Sequence, residues 1–148
     1  MVAYGILRDR LTEYGVERAN VDFTGIGQGM CDRADELGDE RITGIRIGEP
    51  SSDPETYVNL RAEAWWQLRE RFQPDENGHA EIDIDPEDDE LAAQLGKVKR
   101  KPRSDGRIQI ESKEEMRRRG MPSPDDADAV VLSFVTRDDG PIAMTFGR

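Results

Sequence analysis

Residues 19–38, ANVDFTGIGQGMCDRADELG, join a short apolar strand to a helix through a glycine-rich turn. The strand is predicted to end near Asp22, and the helix to run over 28–37 until Gly38 stops it. A strand followed directly by a helix is typical of α/β proteins, whose sites form at the C-terminal ends of strands. Asp22 occupies such an end and is therefore a candidate site residue.

The glycines at positions 25, 27 and 29 do not form a nucleotide-binding motif. Their spacing differs from the dinucleotide fingerprint, and no phosphate-loop lysine follows them. An ordinary strand-to-helix turn explains them as a group, although they would also clear space beside Asp22.

The remaining sequence continues to alternate between helical and strand patterns. Helices are predicted over 3–15, 54–72, 86–98, 112–120 and 124–135, and strands over 41–49, 80–85 and 106–112. Ser52 or Asp53 would cap the second of these helices. Ser112 and Glu115 have the spacing of a capping box.

This alternation predicts one α/β domain over residues 1–148, with a mixed sheet flanked by helices. Residues 136–148 are expected to form a polar tail, with a hairpin around 138–141. The chain has 148 residues, which suffices for one domain with a sizeable core and argues against two.

Composition excludes several classes of protein. No apolar run approaches the length of a membrane span, and the N-terminus lacks the apolar core of a signal peptide. The single cysteine, Cys31, excludes an internal disulfide and suits a reducing compartment, where it is interpreted as a small buried residue. The protein is therefore expected to be cytoplasmic.

The net charge of −11 conceals a basic tract over residues 97–119. That tract holds ten basic and four acidic side chains, so the rest of the chain carries −17. A local basic run can follow a DNA backbone, although a surface loop between a helix and a strand is the alternative. The candidate nucleic-acid-binding residues are Lys97, Lys99, Arg100, Lys101 and Arg103.

Three aspartates, Asp125, Asp126 and Asp128, precede the apolar run VVLSF. Acids in the first helical turn complement the helix dipole, with Ser123 as N-cap and Pro124 as the first helical residue. This explains one or two of them. Asp125 and Asp128 share a helical face that continues into apolar positions, where a carboxylate pair is costly unless a metal or another cation compensates it.

An acid at a strand end and acids at a helix start together favour a divalent-metal site. Mg²⁺ and Mn²⁺ prefer carboxylate oxygens, and two such ions can activate a water and stabilise the leaving oxygen in phosphodiester hydrolysis. The candidate metal ligands are Asp22, Asp125 and Asp128, with Asp22 and Asp125 as the catalytic pair.

A resemblance to a known family rests on three segments: VDFTGIGQGMCDRADELG (21–38), NLRAEAWWQLRERF (59–72) and GRIQIESKEEMRRRGMPSPDDADAVVLSF (106–134). In this order they resemble the C-terminal nuclease domain of phage terminase large subunits, over about residues 3–135. The resemblance implies a ribonuclease H-like fold and a DNA-packaging role. Asp22 matches the family's acid before the Gly-x-Gly turn, Asp125 and Asp128 match the Pro-Asp-x-x-Asp-Ala pattern, and Asp126 falls on its variable position.

The sequence departs from that family in one important respect. The family's first acid lies on a strand upstream of the helix at 3–15, and Asp9, on that helix, is a poor replacement. The family's N-terminal ATPase domain is also expected to be missing, because the sequence contains no phosphate-loop motif. The chain is therefore expected to be an N-terminally truncated nuclease domain, whose open sheet edge favours a homo-oligomer or a partner chain.

The resemblance implies a metal-dependent endonuclease that cuts double-stranded DNA, with Mg²⁺ or Mn²⁺ as cofactor and other terminase or portal components as partners. The alternative is a catalytically inactive DNA-binding or assembly module. A third hypothesis, a ribonuclease H-like enzyme acting on RNA or junctions, uses the same site. Trp65 and Trp66 could stack bases, although one is expected in the core. His79 stands alone, and no metal role is expected for it.

Overall fold

The computed structural model describes residues 2–136, which form two units, residues 2–47 with 135–136 and residues 48–134. The single domain expected over residues 1–148, which would comprise both units, stays a prediction. The hairpin expected around 138–141, with most of the tail over 136–148, lies outside the described residues.

The first unit contains a parallel pair of strands covered by two helices. The order is α1 (Val2–Glu13), β1 (Ala19–Asp22), α2 (Ile26–Leu37) and β2 (Ile42–Ile45). β1 and β2 are in register from Ala19 opposite Ile42 to Asp22 opposite Ile45. The core brings together apolar side chains from all four elements and from Phe23, with Tyr4, Leu11, Cys31, Ala34 and Ile42. Cys31 is buried as expected, and burial raises the pKa of its thiol.

The glycine-rich turn between β1 and α2 depends on backbone freedom at two positions. Gly25 has φ of 54°, in the left-handed region. At Gly27, a Cβ would lie 1.9 Å from the backbone oxygen of Asp22, so the helix passes directly over the end of the strand. α2 consequently begins at Ile26, two residues earlier than predicted. Gly38, with φ of 64°, ends it as predicted.

The second unit carries α3 (Leu60–Arg71), α4 (Asp89–Lys97), β3 (Arg100–Lys101), β4 (Gln109–Ile110), α5 (Lys113–Arg118) and α6 (Asp125–Ser133). β3 and β4 pair antiparallel, and Tyr57 forms an isolated parallel bridge with Ile108. Leu68, Met116 and Val131 are among the most deeply buried side chains. None of the helices in residues 2–136 has the length and hydrophobicity that a membrane crossing requires.

The helix predicted over 54–72 begins only at Leu60, because residues 56–58 form strand-like hydrogen bonds with Ile108 instead. The amides of Val58 and Ile108 donate to the carbonyls of Ile108 and Thr56, at 3.0 and 2.8 Å. Asp53 accepts from the amides just after it and forms a turn rather than a cap. The observed N-cap is Asn59, whose side chain accepts from the amide of Ala62.

Three strand predictions also need correction. Residues 80–85 are not a strand, because the amides of Glu81 and Ile82 bind the carbonyl of Arg71 at the end of α3. The strand predicted over 41–49 shrinks to β2. The strand predicted over 106–112 shrinks to β4, whose partner β3 lies inside the basic run that was predicted as a loop or DNA-contacting segment.

The capping box of α5 is confirmed. Ser112 Oγ accepts from the amide of Glu115, and the Glu115 carboxylate accepts from the amide of Ser112. Lys101, on β3, also binds that carboxylate. The hydrogen bond from Lys101, followed by that from the Ser112 amide, lowers the pKa of Glu115 to about 2.

This shift predicts an acid-dependent loss of stability. Because the folded pKa lies below the usual 4.5, Glu115 stabilises the fold above that pH, and its contribution disappears as the pH falls towards 2. Urea unfolding between pH 5 and pH 2 should therefore be less pH-dependent in Glu115→Gln than in the wild type. Parallel curves for the two proteins would contradict the assignment.

Candidate functional site

Asp128, in the first turn of α6, is the centre of a buried charge cluster. Its Oδ1 accepts from Arg61 Nη1 at 3.0 Å and from Trp65 Nε1 at 3.3 Å, both on α3. Lys113 Nζ, at the start of α5, lies 2.9 Å from Oδ2. The Asp128 and Arg61 side chains are only 14% and 12% exposed. A carboxylate this buried is tolerated because two cations face it.

Lys113 links Asp128 to Asp125. Its ammonium lies 3.5 Å from Asp125 Oδ1, and Ser123 Oγ donates to the same oxygen at 2.6 Å. The bond from Ser123 is the main reason that the pKa of Asp125 is lowered. Burial lowers the pKa of Lys113, but the two aspartates outweigh it and raise the pKa above its usual value. The carboxylate pair is thus compensated by a lysine and an arginine.

The two aspartates differ sharply in environment. Asp125 is 77% exposed and lies at the surface of the cluster, whereas Asp128 is inside it. The prediction that Asp125 and Asp128 share one helical face holds in that both lie next to Lys113. Only Asp128, however, is buried. Asp128 is therefore held in one orientation, whereas the exposed Asp125 carboxylate is free to change its partner.

Arg61 is the residue of this cluster that sequence reasoning missed as a site residue. Its Nη1 binds Asp128, while its Nε and Nη2 are buried and find no hydrogen-bond partner in the described part of the chain. Its guanidinium also lies 5.7 Å from the ring of Trp65. The available signal was a charged residue within the apolar stripe of the predicted helix, beside Leu60.

The start of α6 is capped from another helix, which corrects the prediction of Ser123 as N-cap. The N-cap position is Pro124, which supplies no side-chain hydrogen bond. Instead, Gln94 of α4 accepts from the amides of Asp126 and Ala127 at 2.9 and 3.1 Å. Its amide nitrogen donates to Asp126 Oδ2 at 2.8 Å. Gln94 thereby holds the acidic turn against α4.

Replacing Gln94 with alanine should destabilise the protein by about 1 kcal/mol, the usual cost of losing a helix cap. Hydrogen exchange should accelerate at the amides of Asp126 and Ala127, which would lose their acceptor. A matched control is Gln67→Ala, since Gln67 donates to Glu63 within α3 and caps no helix. Unchanged exchange at both α6 amides would contradict the capping role.

Asp22 lies in the first unit, at the C-terminal end of β1 as expected. Its Oδ1 is buried and has no hydrogen-bond partner among residues 2–136, and the same holds for Asp128 Oδ2, whose close contact with Lys113 lacks hydrogen-bond geometry. Carboxylate oxygens are the donors that Mg²⁺ and Mn²⁺ prefer, so the donor type fits such a metal, although Asp128 Oδ2 is ion-paired with Lys113.

No group of three or more His, Cys, Asp or Glu side chains within the part of the chain that the structure describes is arranged to hold a metal ion. The metal roles of Asp22, Asp125 and Asp128, and the catalytic roles of Asp22 and Asp125, stay predictions.

The basic run is spread over the end of α4 and the strand β3. Lys97 and Lys99 are exposed, and Arg100 stacks on Trp66 with its Cζ 5.2 Å from the ring centroid. Lys101 pairs with Glu115, and Arg103 pairs with Asp105 at 2.7 Å. Two of the five cations are therefore ion-paired and a third is stacked on a tryptophan, and DNA binding by the run stays a prediction.

The two tryptophans divide as anticipated. Trp65 is 7% exposed and belongs to the core of its unit. Trp66 is half-buried, donates to Glu70 Oε1 at 2.9 Å, and has the guanidinium of Arg69 4.7 Å from its ring centroid.

The comparisons with known proteins rest on structure. No family model matches the sequence, and no curated protein sequence does either. The nuclease domain of the large terminase subunit gp2 of bacterial virus Sf6 superposes with a TM-score of 0.69 at 21% identity, covering 87% of this chain and 69% of that one.

Mutant forms of the same Sf6 domain match as well. One, with manganese, gives a TM-score of 0.68 at 21% identity and covers 87% of this chain and 70% of that one. Another, with calcium, gives 0.69 at 20% identity, with coverages of 87% and 69%. The chain therefore has the mixed α/β, ribonuclease H-like fold of the nuclease domain of a phage terminase large subunit.

Proposed function

We propose that the chain is a metal-dependent endonuclease domain that cuts double-stranded DNA during phage DNA packaging. The observation that carries the proposal is the acidic start of α6. There Asp128 is buried and ion-paired with Arg61 and Lys113, and Asp125 is exposed next to the same lysine. The fold of a terminase nuclease supports it, as do neighbouring structures determined with manganese or calcium.

Asp22, Asp125 and Asp128 would hold Mg²⁺ or Mn²⁺. When bound, such ions lower the pKa of a coordinated water and neutralise charge on the phosphate. The chain's own residues prepare the acids for this role. Arg61 and Trp65 fix the orientation of the Asp128 carboxylate through two hydrogen bonds to Oδ1, which leaves Oδ2 turned towards Lys113.

Lys113 lowers the repulsion between Asp125 and Asp128 and adds a positive charge where a phosphate would approach. Because its raised pKa keeps it protonated at neutral pH, this charge is permanent under working conditions. Lys97 and Lys99 are exposed and would contact the DNA backbone without reading its sequence. Other terminase or portal components and a second copy of the chain are the proposed partners, in the host cytoplasm.

The test combines Mn²⁺ titration calorimetry with plasmid nicking, on the wild type, Asp22→Asn and Asp125→Asn. We expect saturable Mn²⁺ binding and nicking in the wild type, with both lost in each variant because a carboxylate ligand is removed. Asp9→Asn is the matched control, since Asp9 is exposed on α1 and, among residues 2–136, pairs only with its neighbour Arg8. It should bind Mn²⁺ and nick as the wild type does.

The second candidate function, a DNA-binding or assembly module without catalysis, is favoured by the lack of a three-acid group within residues 2–136. Its signature would be salt-dependent DNA binding, weakened by charge removal at Lys97 or Lys99, with no Mn²⁺ binding and no nicking. That combination would overturn the nuclease proposal while retaining the DNA contact.

A further inference from the structure

α4 is an amphipathic helix that buries none of its residues. Leu91 and Leu95 lie on the apolar side of the helix and are only half-buried. An amphipathic helix in a folded domain normally packs its apolar stripe into the core. A cavity lies against part of this helix, where Ala92, Leu95 and Gly96 line it.

The cavity has a volume of about 520 Å³ and lies wholly within the second unit. Aromatic and aliphatic side chains of α3, α4 and β4 supply most of its wall, including Trp65, Trp66, Leu68, Phe72, Leu95 and Ile110. Ligand sites of proteins typically have about 300–1,000 Å³ and an apolar wall with a few polar groups. Both the size and the lining therefore fit a small organic molecule.

Two guanidinium groups flank Trp66 at this cavity. Those of Arg69 and Arg100 lie 4.7 and 5.2 Å from its ring centroid. Neither arginine forms an ion pair with a carboxylate in residues 2–136, although the chain is strongly acidic. Asp83 also lines the cavity, and its Oδ1 accepts from the amide of Ile84 at 2.8 Å. Because this carboxylate is negatively charged, the two arginines must outweigh it for an anion to bind. The Arg69 guanidinium already donates to the side-chain oxygen of Gln73, at 2.9 Å from Nη2 and 3.2 Å from Nη1. The Arg100 guanidinium and the remaining N–H groups of Arg69 are therefore the donors available for an anion.

We propose that this cavity is a binding site for an apolar organic anion, with a ring or alkyl body against Trp66 and Leu95 and one acid group at Arg100 and Arg69. The apolar wall supplies most of the affinity through removal of ring surface from water. The arginines supply orientation and selectivity for the acid through charge-assisted hydrogen bonds. Trp65 lines the cavity and also donates to Asp128, but within residues 2–136 neither arginine of the cavity pairs with the acidic start of α6, and the proposal does not depend on the nuclease proposal.

The test uses the fluorescent probe anilinonaphthalene sulfonate and its neutral analogue phenylnaphthylamine, which lacks the sulfonate. Both should bind the folded wild-type protein with one site per chain, and the sulfonate should bind about tenfold more tightly because of the charge-assisted contacts. Quenching of tryptophan fluorescence reports occupancy directly, since Trp65 and Trp66 are the only tryptophans of the chain.

Two variants separate the contribution of the arginine charge to probe binding from that of the cavity space. Arg100→Gln should bring the affinity for the sulfonate close to that for the neutral probe. Gly96→Phe should block both probes, because Gly96 lines the cavity and a Cβ there meets nothing within 4 Å. Gly5→Phe is the matched control, a helical glycine of α1 with equally open surroundings, and should bind both probes normally.

Three outcomes would overturn the proposal: equal affinity of both probes for the wild type, unaltered sulfonate binding in Arg100→Gln, or many weak sites per chain. Displacement of the sulfonate by a short single-stranded oligothymidylate would also overturn it, in favour of a nucleic-acid surface. If thermal unfolding shows that Gly96→Phe is not folded, the comparison of the two probes on the wild type and Arg100→Gln still decides.

Discussion

Replacing Asp128 with alanine is expected to lower the free energy of unfolding by about 3–5 kcal/mol, the usual cost of breaking a buried ion pair. The loss would leave the guanidinium of Arg61 buried with no carboxylate, and would remove the acceptor of Trp65 Nε1–H. Lys113 would lose the nearer of its two partners. Urea unfolding followed by tryptophan fluorescence measures the effect, because Trp65 touches Asp128 directly.

Asp125→Ala is the matched control, with the same chemistry on the same helix. Because Asp125 is 77% exposed, its loss should change stability by at most about 0.5 kcal/mol. The double variant Asp128→Leu with Arg61→Met should recover much of the loss, since it removes both buried charges. Equal destabilisation by the two alanine variants would show that burial of the Asp128 cluster does not govern stability.

Replacing Gly27 with alanine is expected to destabilise the first unit by about 3 kcal/mol, at the upper end of the cost of overpacking. The new Cβ would lie 1.9 Å from the Asp22 carbonyl oxygen and 2.9 Å from Val21 Cγ1, so α2 would have to move away from the end of β1. The first unit contains no tryptophan. Hydrogen exchange at the β1 amides, with circular dichroism, is therefore the measurement.

Gly5→Ala is the control for that substitution. Gly5 is also within a helix, but its Cβ would meet no atom within 4 Å, so the change should stabilise α1 by up to about 1 kcal/mol through helix propensity. If Gly27→Ala were as well tolerated as Gly5→Ala, the close passage of α2 over the strand end would not be a requirement of the fold. A displaced α2 would also move Asp22, so metal binding should weaken in Gly27→Ala.

Elements defined by short-range signals could be predicted from the sequence. The stop at Gly38 and the capping box of Ser112 and Glu115 formed as expected. The strand, turn and helix over 19–38 also formed, with the helix starting at Ile26 instead of position 28. Their interactions join residues at most a few positions apart, so the local sequence contains both partners. The longer helix over 54–72 failed at its start because Tyr57 pairs with Ile108, which lies far along the chain.

The candidate site follows the same division. The sequence by itself determined that acids gather at the start of α6 and that Asp22 ends β1 beside the glycine turn. Only the tertiary structure decided that Arg61, Lys113 and Gln94 would surround α6, since they stand 67, 15 and 32 or more positions from their partners. Charge compensation of a buried carboxylate depends on distance in space, and a linear pattern carries no record of that distance until the helices pack.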